Sequence, residues 1–69
     1  MTNTVLLEKR IEESGLKRSY IAQMLGLSAY GLARKIKNES EFKTSEISGL
    51  CELLRIDSLE ERNAIFFAH

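Results

Sequence analysis

The side chains with the clearest chemistry in this sequence are the cations of residues 15–38. This window carries five Lys or Arg and no Asp or Glu, whereas the whole chain has ten residues of each charge and no net charge. All ten acidic residues therefore lie outside it. Cations concentrated on one segment favour the binding of phosphates, and such clustering is typical of nucleic-acid-binding surfaces.

The apolar residues of the same window predict two short helices joined by a glycine turn. Ile21 lies on the core face of the first helix, and Leu32 and Ile36, four residues apart, hold the second on the core. Between them, Gly26 supplies the left-handed conformation of a sharp turn, and Ser28 caps the second helix. Two helices so arranged can place the second in the major groove of DNA.

The second helix carries the candidates for base contact. Arg34 and Lys35 are the best, because a cation two turns from the cap can reach guanine or clamp a phosphate, and we expect at least one to contact DNA. Ala29 either touches a thymine methyl or only favours the helix. Tyr30 either offers its hydroxyl to DNA or packs against the preceding helix. Gly31 costs about 1 kcal/mol relative to alanine, which close approach to DNA or to that helix would offset.

The flanking residues are candidates for phosphate contact. Lys17 and Arg18 stand at the start of the first helix of the pair, where backbone amides also favour phosphates. Lys37, Asn38 and Lys43 surround the loop after the second helix. The predicted DNA-binding residues are Lys17, Arg18, Ser28, Ala29, Tyr30, Gly31, Arg34, Lys35, Lys37 and Asn38.

Three more helices are predicted to position this pair. One covers residues 4–14, with Asn3 or Thr2 as its cap and Gly15 as its stop. In the helix pair, the first helix is predicted to run from about residue 18 to residue 25. The second helix is predicted to be closed by Asn38.

The last two helices follow from apolar spacing and a cap. A helix beginning at Thr44 or Ser45 has a buried stripe at intervals of three and four: Ile47, Leu50, Cys51 and Leu54. Ser58 and Glu61 fit a capping box, in which the hydroxyl and the carboxylate each accept from a backbone amide, for a helix over residues 59–68.

The carboxy-terminal helix is also the predicted dimer interface. Phe66 and Phe67 are adjacent, so a helix cannot direct both into one small core, and whichever remains outside marks an interface. Leu59 and Ile65 are the other candidates for this two-fold contact.

Composition predicts a single all-α domain over residues 1–69, a compact five-helix unit. One cysteine and one histidine, Cys51 and His69, exclude an internal disulfide and a four-ligand zinc site. No apolar run approaches the roughly 20 residues of a membrane span, and we recognise no signal peptide. We find no metal-ligand set, no nucleophile with a base and no phosphate-cradling glycine loop. We therefore expect a cytoplasmic protein that is not an enzyme and has no cofactor, small-molecule substrate or membrane partner.

Ala22, Gly26 and Ser28 are spaced as in the Cro/repressor-type helix-turn-helix superfamily, which the chain resembles. Residues 42–47 and 65–68 are similar to those of small Cro-like regulators of phages and prophages of Gram-positive bacteria. The resemblance implies a dimeric transcriptional regulator, with repression the expected effect, that binds double-stranded DNA at a palindromic operator. The alternative is a protein-interaction module, such as an antirepressor or antitoxin-like adaptor, whose DNA affinity would show no salt dependence.

Overall fold

The computed structural model describes residues 1–68 and contains five α-helices, with no strand in that range. The helices are α1 (Thr4–Ser14), α2 (Arg18–Met24), α3 (Ala29–Ile36), α4 (Thr44–Leu54) and α5 (Leu59–Phe66). The predicted all-α class and the predicted order of five helices are confirmed. His69 lies outside the described residues.

Local chemistry fixes most of the helix ends at the predicted residues. The side-chain oxygens of Asn3, Ser28 and Ser58 each accept a hydrogen bond from the backbone N–H three residues on, at 2.9–3.1 Å. Gly15 and Gly26 adopt positive φ angles of 72° and 71°, a region that favours glycine. These caps are the signals on which the sequence prediction depended.

Two helix ends differ from the prediction. The last helical residue of α2 is Met24, because Gly26 and Leu27 already donate back to Gln23 and Ala22, which closes the helix. α5 ends at residue 66 rather than 68, because the N–H of Ala68 donates to the Met1 carbonyl at 2.9 Å and leaves the helical ladder.

The core contains the apolar faces of all five helices. Its least accessible large side chains are Leu7, Ile21, Leu32, Ile36, Leu50 and Ile65. On α4, Leu50 and Leu54 are buried as predicted, but Ile47 and Cys51 are only half-buried. Burial raises the pKa of the Cys51 thiol, which remains protonated at neutral pH although the nearby Arg62 acts in the opposite direction.

The two adjacent phenylalanines at the end of α5 point to opposite environments. Phe66 is 3% exposed and its ring packs edge-on against Phe42, with the centroids 5.8 Å apart, whereas Phe67 is 48% exposed. Ile65 is also buried. Of the two phenylalanines, Phe67 is thus the one outside the core, and Ile65 and Phe66 are enclosed within the chain and not available for a two-fold contact in this conformation. Leu59 and Phe67 remain exposed.

Arg10 connects three of the helices. Its Nη2 donates to the Leu54 carbonyl at the end of α4 at 2.7 Å, and its Nε lies 3.2 Å from the Glu61 carboxylate on α5. Glu61 therefore pairs with a guanidinium instead of reaching back to the Ser58 amide. Only the hydroxyl half of the predicted capping box forms.

Candidate nucleic-acid interface

The turn between α2 and α3 brings the two helices into direct contact. Leu27 donates to the Ala22 carbonyl at 2.8 Å across the left-handed Gly26, so the chain reverses within a few residues. α4 packs behind this turn: a Cβ on Gly49 would lie 2.8 Å from Leu25 Cδ2. The absence of a side chain at Gly49 thus permits α4 to lie close to Leu25 and support the α2–α3 pair. Apolar spacing alone did not identify Gly49.

The face of α3 opposite its buried anchors is the exposed face of this pair. Leu32 and Ile36 are 1% exposed, while Ala29, Tyr30 and Arg34 point outward. Tyr30 is 73% exposed, so it does not pack closely against α2, which was one of its two predicted roles. The Arg34 guanidinium carbon lies 5.9 Å from the centroid of the Tyr30 ring, one turn earlier.

Ser28 and Gly31 form the amino-terminal edge of this face. The Gly31 N–H donates to the Ser28 hydroxyl oxygen at 2.9 Å. A Cβ on Gly31 would meet that same oxygen at 3.1 Å, and nothing in α2 is closer. Close approach of α2 therefore does not explain this glycine, and the tight neighbour is its own helix cap.

Lys35 is not on the exposed face, which corrects one of the two best predicted contacts. Its side chain is 11% exposed, and its Nζ lies 2.5 Å from Glu46 Oε1 at the start of α4. Successive helical residues are about 100° apart, so Lys35 turns toward α4 while Arg34 turns toward solvent. Lys35 thus pairs α3 with α4 and is not available to DNA in this conformation.

The partners of Glu46 explain its charge state. Burial by itself would raise the pKa of this carboxyl, but the Lys35 ammonium and the Lys43 N–H, which donates at 2.8 Å, outweigh it and hold the pKa below its ordinary value. The Glu46 carboxyl is therefore ionised at neutral pH. The Glu46 carboxylate also caps α4, a function that the prediction left unassigned.

Asn38 is likewise occupied within the chain. It closes α3 as predicted, with a positive φ of 65°, but both ends of its amide bind the backbone of Thr2, at 2.6 and 2.8 Å. The Thr4 hydroxyl donates to the Ile36 carbonyl beside it. Asn38 thus fastens the amino-terminal segment to the end of α3, and its amide is not free for a phosphate.

The other predicted phosphate ligands are exposed. Arg18 lies 3.2 Å from Glu8 of α1, with both side chains about half exposed. Lys17 and Lys37 are exposed, and within residues 1–68 no carboxylate oxygen lies within 4.0 Å of either ammonium. Of the five cations of the window, two thus have no acidic partner in residues 1–68, Arg18 and Arg34 have exposed partners in Glu8 and Glu39, and Lys35 is buried.

The chain matches no protein-family model, and no curated protein or solved structure matches it. No helix among the described residues is both long and apolar enough to cross a membrane. Across residues 1–68, no three His, Cys, Asp or Glu side chains are grouped so that they could hold a metal ion.

Proposed function

We propose that this protein is a sequence-specific DNA-binding transcriptional regulator of the Cro/repressor-like helix-turn-helix type, with repression as its expected effect. One observation carries the proposal. α3 is held on the core by Leu32 and Ile36, follows a tight turn from α2, and presents Tyr30, Arg34 and Lys37 outward. An α-helix presented in this way can enter the major groove, which is about 12 Å wide.

The exposed cations divide between the two kinds of DNA contact. Arg34 lies on the outward face in the last turn of α3, where we propose that it reaches base edges, and Ala29 and Tyr30 precede it toward the helix start. Lys17 and Arg18 at the start of α2 and Lys37 at the end of α3 contact phosphates on either side. Lys35 and Asn38 are not among the proposed contacts, because both are engaged within the chain.

Binding as a homodimer follows from the size of the domain. One eight-residue helix contacts few base pairs, and specific sites are usually read by two such helices about one turn of DNA apart. Leu59 at the start of α5 and Phe67 directly after its end, 62% and 48% exposed, are the large apolar residues of this region that remain for a two-fold contact.

The test is selection of duplexes from random DNA, followed by affinity measurements over a range of salt concentrations. Counterion release gives a log–log slope of roughly −0.9 per neutralised phosphate. With Lys17, Arg18 and Lys37 on each of two subunits, we expect a slope of about −5 and a palindromic selected site. An affinity that stays flat from low to physiological salt would contradict the proposal.

Arg34→Ala is expected to weaken binding to the selected duplex by about 1–3 kcal/mol and to relax the base preference at one position in each half-site. The reason is its position on the outward face of α3, between the buried Leu32 and Ile36. Lys37→Ala is the matched control, since it removes one exposed cation from the same helix end and should weaken all duplexes about equally. Equal losses on selected and random DNA for Arg34→Ala would make Arg34 a phosphate ligand only.

A protein-interaction module is the second candidate function. The observation that favours it is the pairing of Arg18, Arg34 and Lys35 with carboxylates, which reduces the free positive charge of the window. The exposed Val5, Leu59 and Phe67 would then contact a protein partner. The salt series separates the two candidates, because this one predicts no salt-sensitive affinity for DNA.

A further inference from the structure

Arg34 is held in place by two neighbours. On one side its guanidinium lies over the Tyr30 ring. On the other, its Nη2 lies 3.4 Å from the Glu39 carbonyl oxygen and its Nε lies 3.8 Å from the Glu39 carboxylate. Tyr30 belongs to the same face, but Glu39 lies beyond the end of the helix and is the acidic partner of the proposed base-reading residue.

The ending of α3 sets the position of Glu39. Asn38 takes a left-handed conformation, so the Glu39 N–H turns back and donates to the Arg34 carbonyl at 2.9 Å. This bond closes the last turn of the helix in the manner of a Schellman motif. A side chain at this position therefore returns toward residue 34, and here it is a carboxylate.

The geometry points to Glu39 as a specificity-determining residue. Its carboxylate holds the Arg34 guanidinium until a guanine base takes the place of that carboxylate. This inference rests on the proposed function. A phosphate of random DNA would only replace one anion beside the guanidinium, the Glu39 carboxylate, with another. The Glu39 carboxylate also repels that phosphate. The O6 and N7 atoms of guanine accept two parallel bonds, an arrangement that discriminates between bases by about 5- to 150-fold. Arg34 therefore leaves Glu39 more readily to bind guanine than to bind the backbone of random DNA.

Both neighbours of Arg34 have a part in this restraint. Tyr30 stacks without accepting a hydrogen bond, so it can remain against the guanidinium when the Glu39 contact breaks. The Arg34–Glu39 ion pair is exposed, at 45% and 56% of the two side chains, and therefore weak enough to exchange. Its effect on affinity is correspondingly limited, at most about five-fold.

The experiment compares Glu39→Gln with Glu41→Gln on the selected duplex and on a random duplex of equal length at low salt. Both variants remove one negative charge from the same loop, but within residues 1–68 Glu41 has no cation within 4.0 Å. We expect Glu39→Gln to raise affinity for random DNA by up to about five-fold and affinity for the selected duplex by less. Its specificity ratio should then fall, while that of Glu41→Gln should not.

The Arg34→Ala background identifies the residue through which Glu39 acts. There, Glu39→Gln should have no more effect than Glu41→Gln. Equal gains on both duplexes, or a gain that persists without Arg34, would overturn the inference while leaving the proposed function intact. No binding of duplex DNA by any variant would overturn both.

Discussion

Replacing Lys35 with methionine is expected to lower the free energy of unfolding at neutral pH by about 3 kcal/mol, because it leaves the Glu46 carboxylate buried without its ammonium partner. The carboxylate is 8% exposed and retains only the Lys43 N–H. In a chain of 69 residues, such a loss is a large part of the total stability. Urea denaturation followed by circular dichroism measures it.

Two further variants test whether this loss of stability comes from the Lys35–Glu46 ion pair. Adding Glu46→Gln to Lys35→Met should restore much of the stability, because a neutral amide needs no counter-charge and still accepts from Lys43. Lys37→Met, two residues further on and exposed, should change stability by less than about 0.5 kcal/mol yet weaken DNA binding. Lys35→Met that behaved like Lys37→Met in both assays would show that the pair has no structural role.

Lowering the pH should reduce the difference in free energy of unfolding between Lys35→Met and the unsubstituted protein. The pKa of Glu46 is lowered in the folded state, so the pair stabilises the fold fully above the ordinary glutamate range. That stabilisation is lost as pH falls through the lowered pKa, when the carboxyl takes up a proton. The same denaturation series at falling pH measures this convergence, whereas a difference independent of pH would exclude the charge of Glu46 as its source.

The helix ends could be predicted because they depend on interactions only a few residues apart. Asn3, Ser28 and Ser58 each accept from a backbone amide three residues on, and Gly15 and Gly26 each take a conformation that other residues disfavour. Such interactions need no knowledge of how the helices cross. The sequence therefore sufficed for the class of fold and for the pairing of α2 with α3.

The assignment of individual cations could not be predicted in the same way. Arg34 and Lys35 are neighbours of the same charge, and the one that faces solvent is decided by where α4 crosses α3 and places Glu46. Asn38 is similar, since its partner Thr2 is 36 residues away. Lys35 and Asn38 are both polar side chains whose partners lie on another segment of the chain, which spacing along one helix cannot locate.

The sequence did not show which of Phe66 and Phe67 is buried, because both fit the end of α5 equally well. The position of Phe42 decides between them. That residue precedes α4, is partly buried against the core and gives Phe66 an aromatic neighbour there, whereas Phe67 points toward solvent. Phe67 borders a surface cavity of about 190 Å³ that Met1, Phe42 and Phe66 also line.

Phe66→Ala and Phe67→Asp are accordingly expected to have different consequences. Phe66→Ala removes a buried ring and its edge-on contact with Phe42, at a cost of about 3–5 kcal/mol, enough to unfold much of a domain this small. Phe67→Asp places a charge where the side chain is already half exposed. It should leave the helical content unchanged and weaken self-association through α5.

Sedimentation of Phe67→Asp, with circular dichroism as the folding check, separates assembly from folding. We expect a folded monomer whose affinity for the selected duplex is much reduced, since each subunit then binds its half-site alone. Val5→Asp is the control, because it adds the same charge at another exposed apolar position, on α1 rather than at the end of α5. If both variants sediment and bind DNA alike, Phe67 has no special place in assembly. An unsubstituted protein that is monomeric at high micromolar concentration without DNA would exclude a preformed dimer and leave pairing to the two half-sites of the operator.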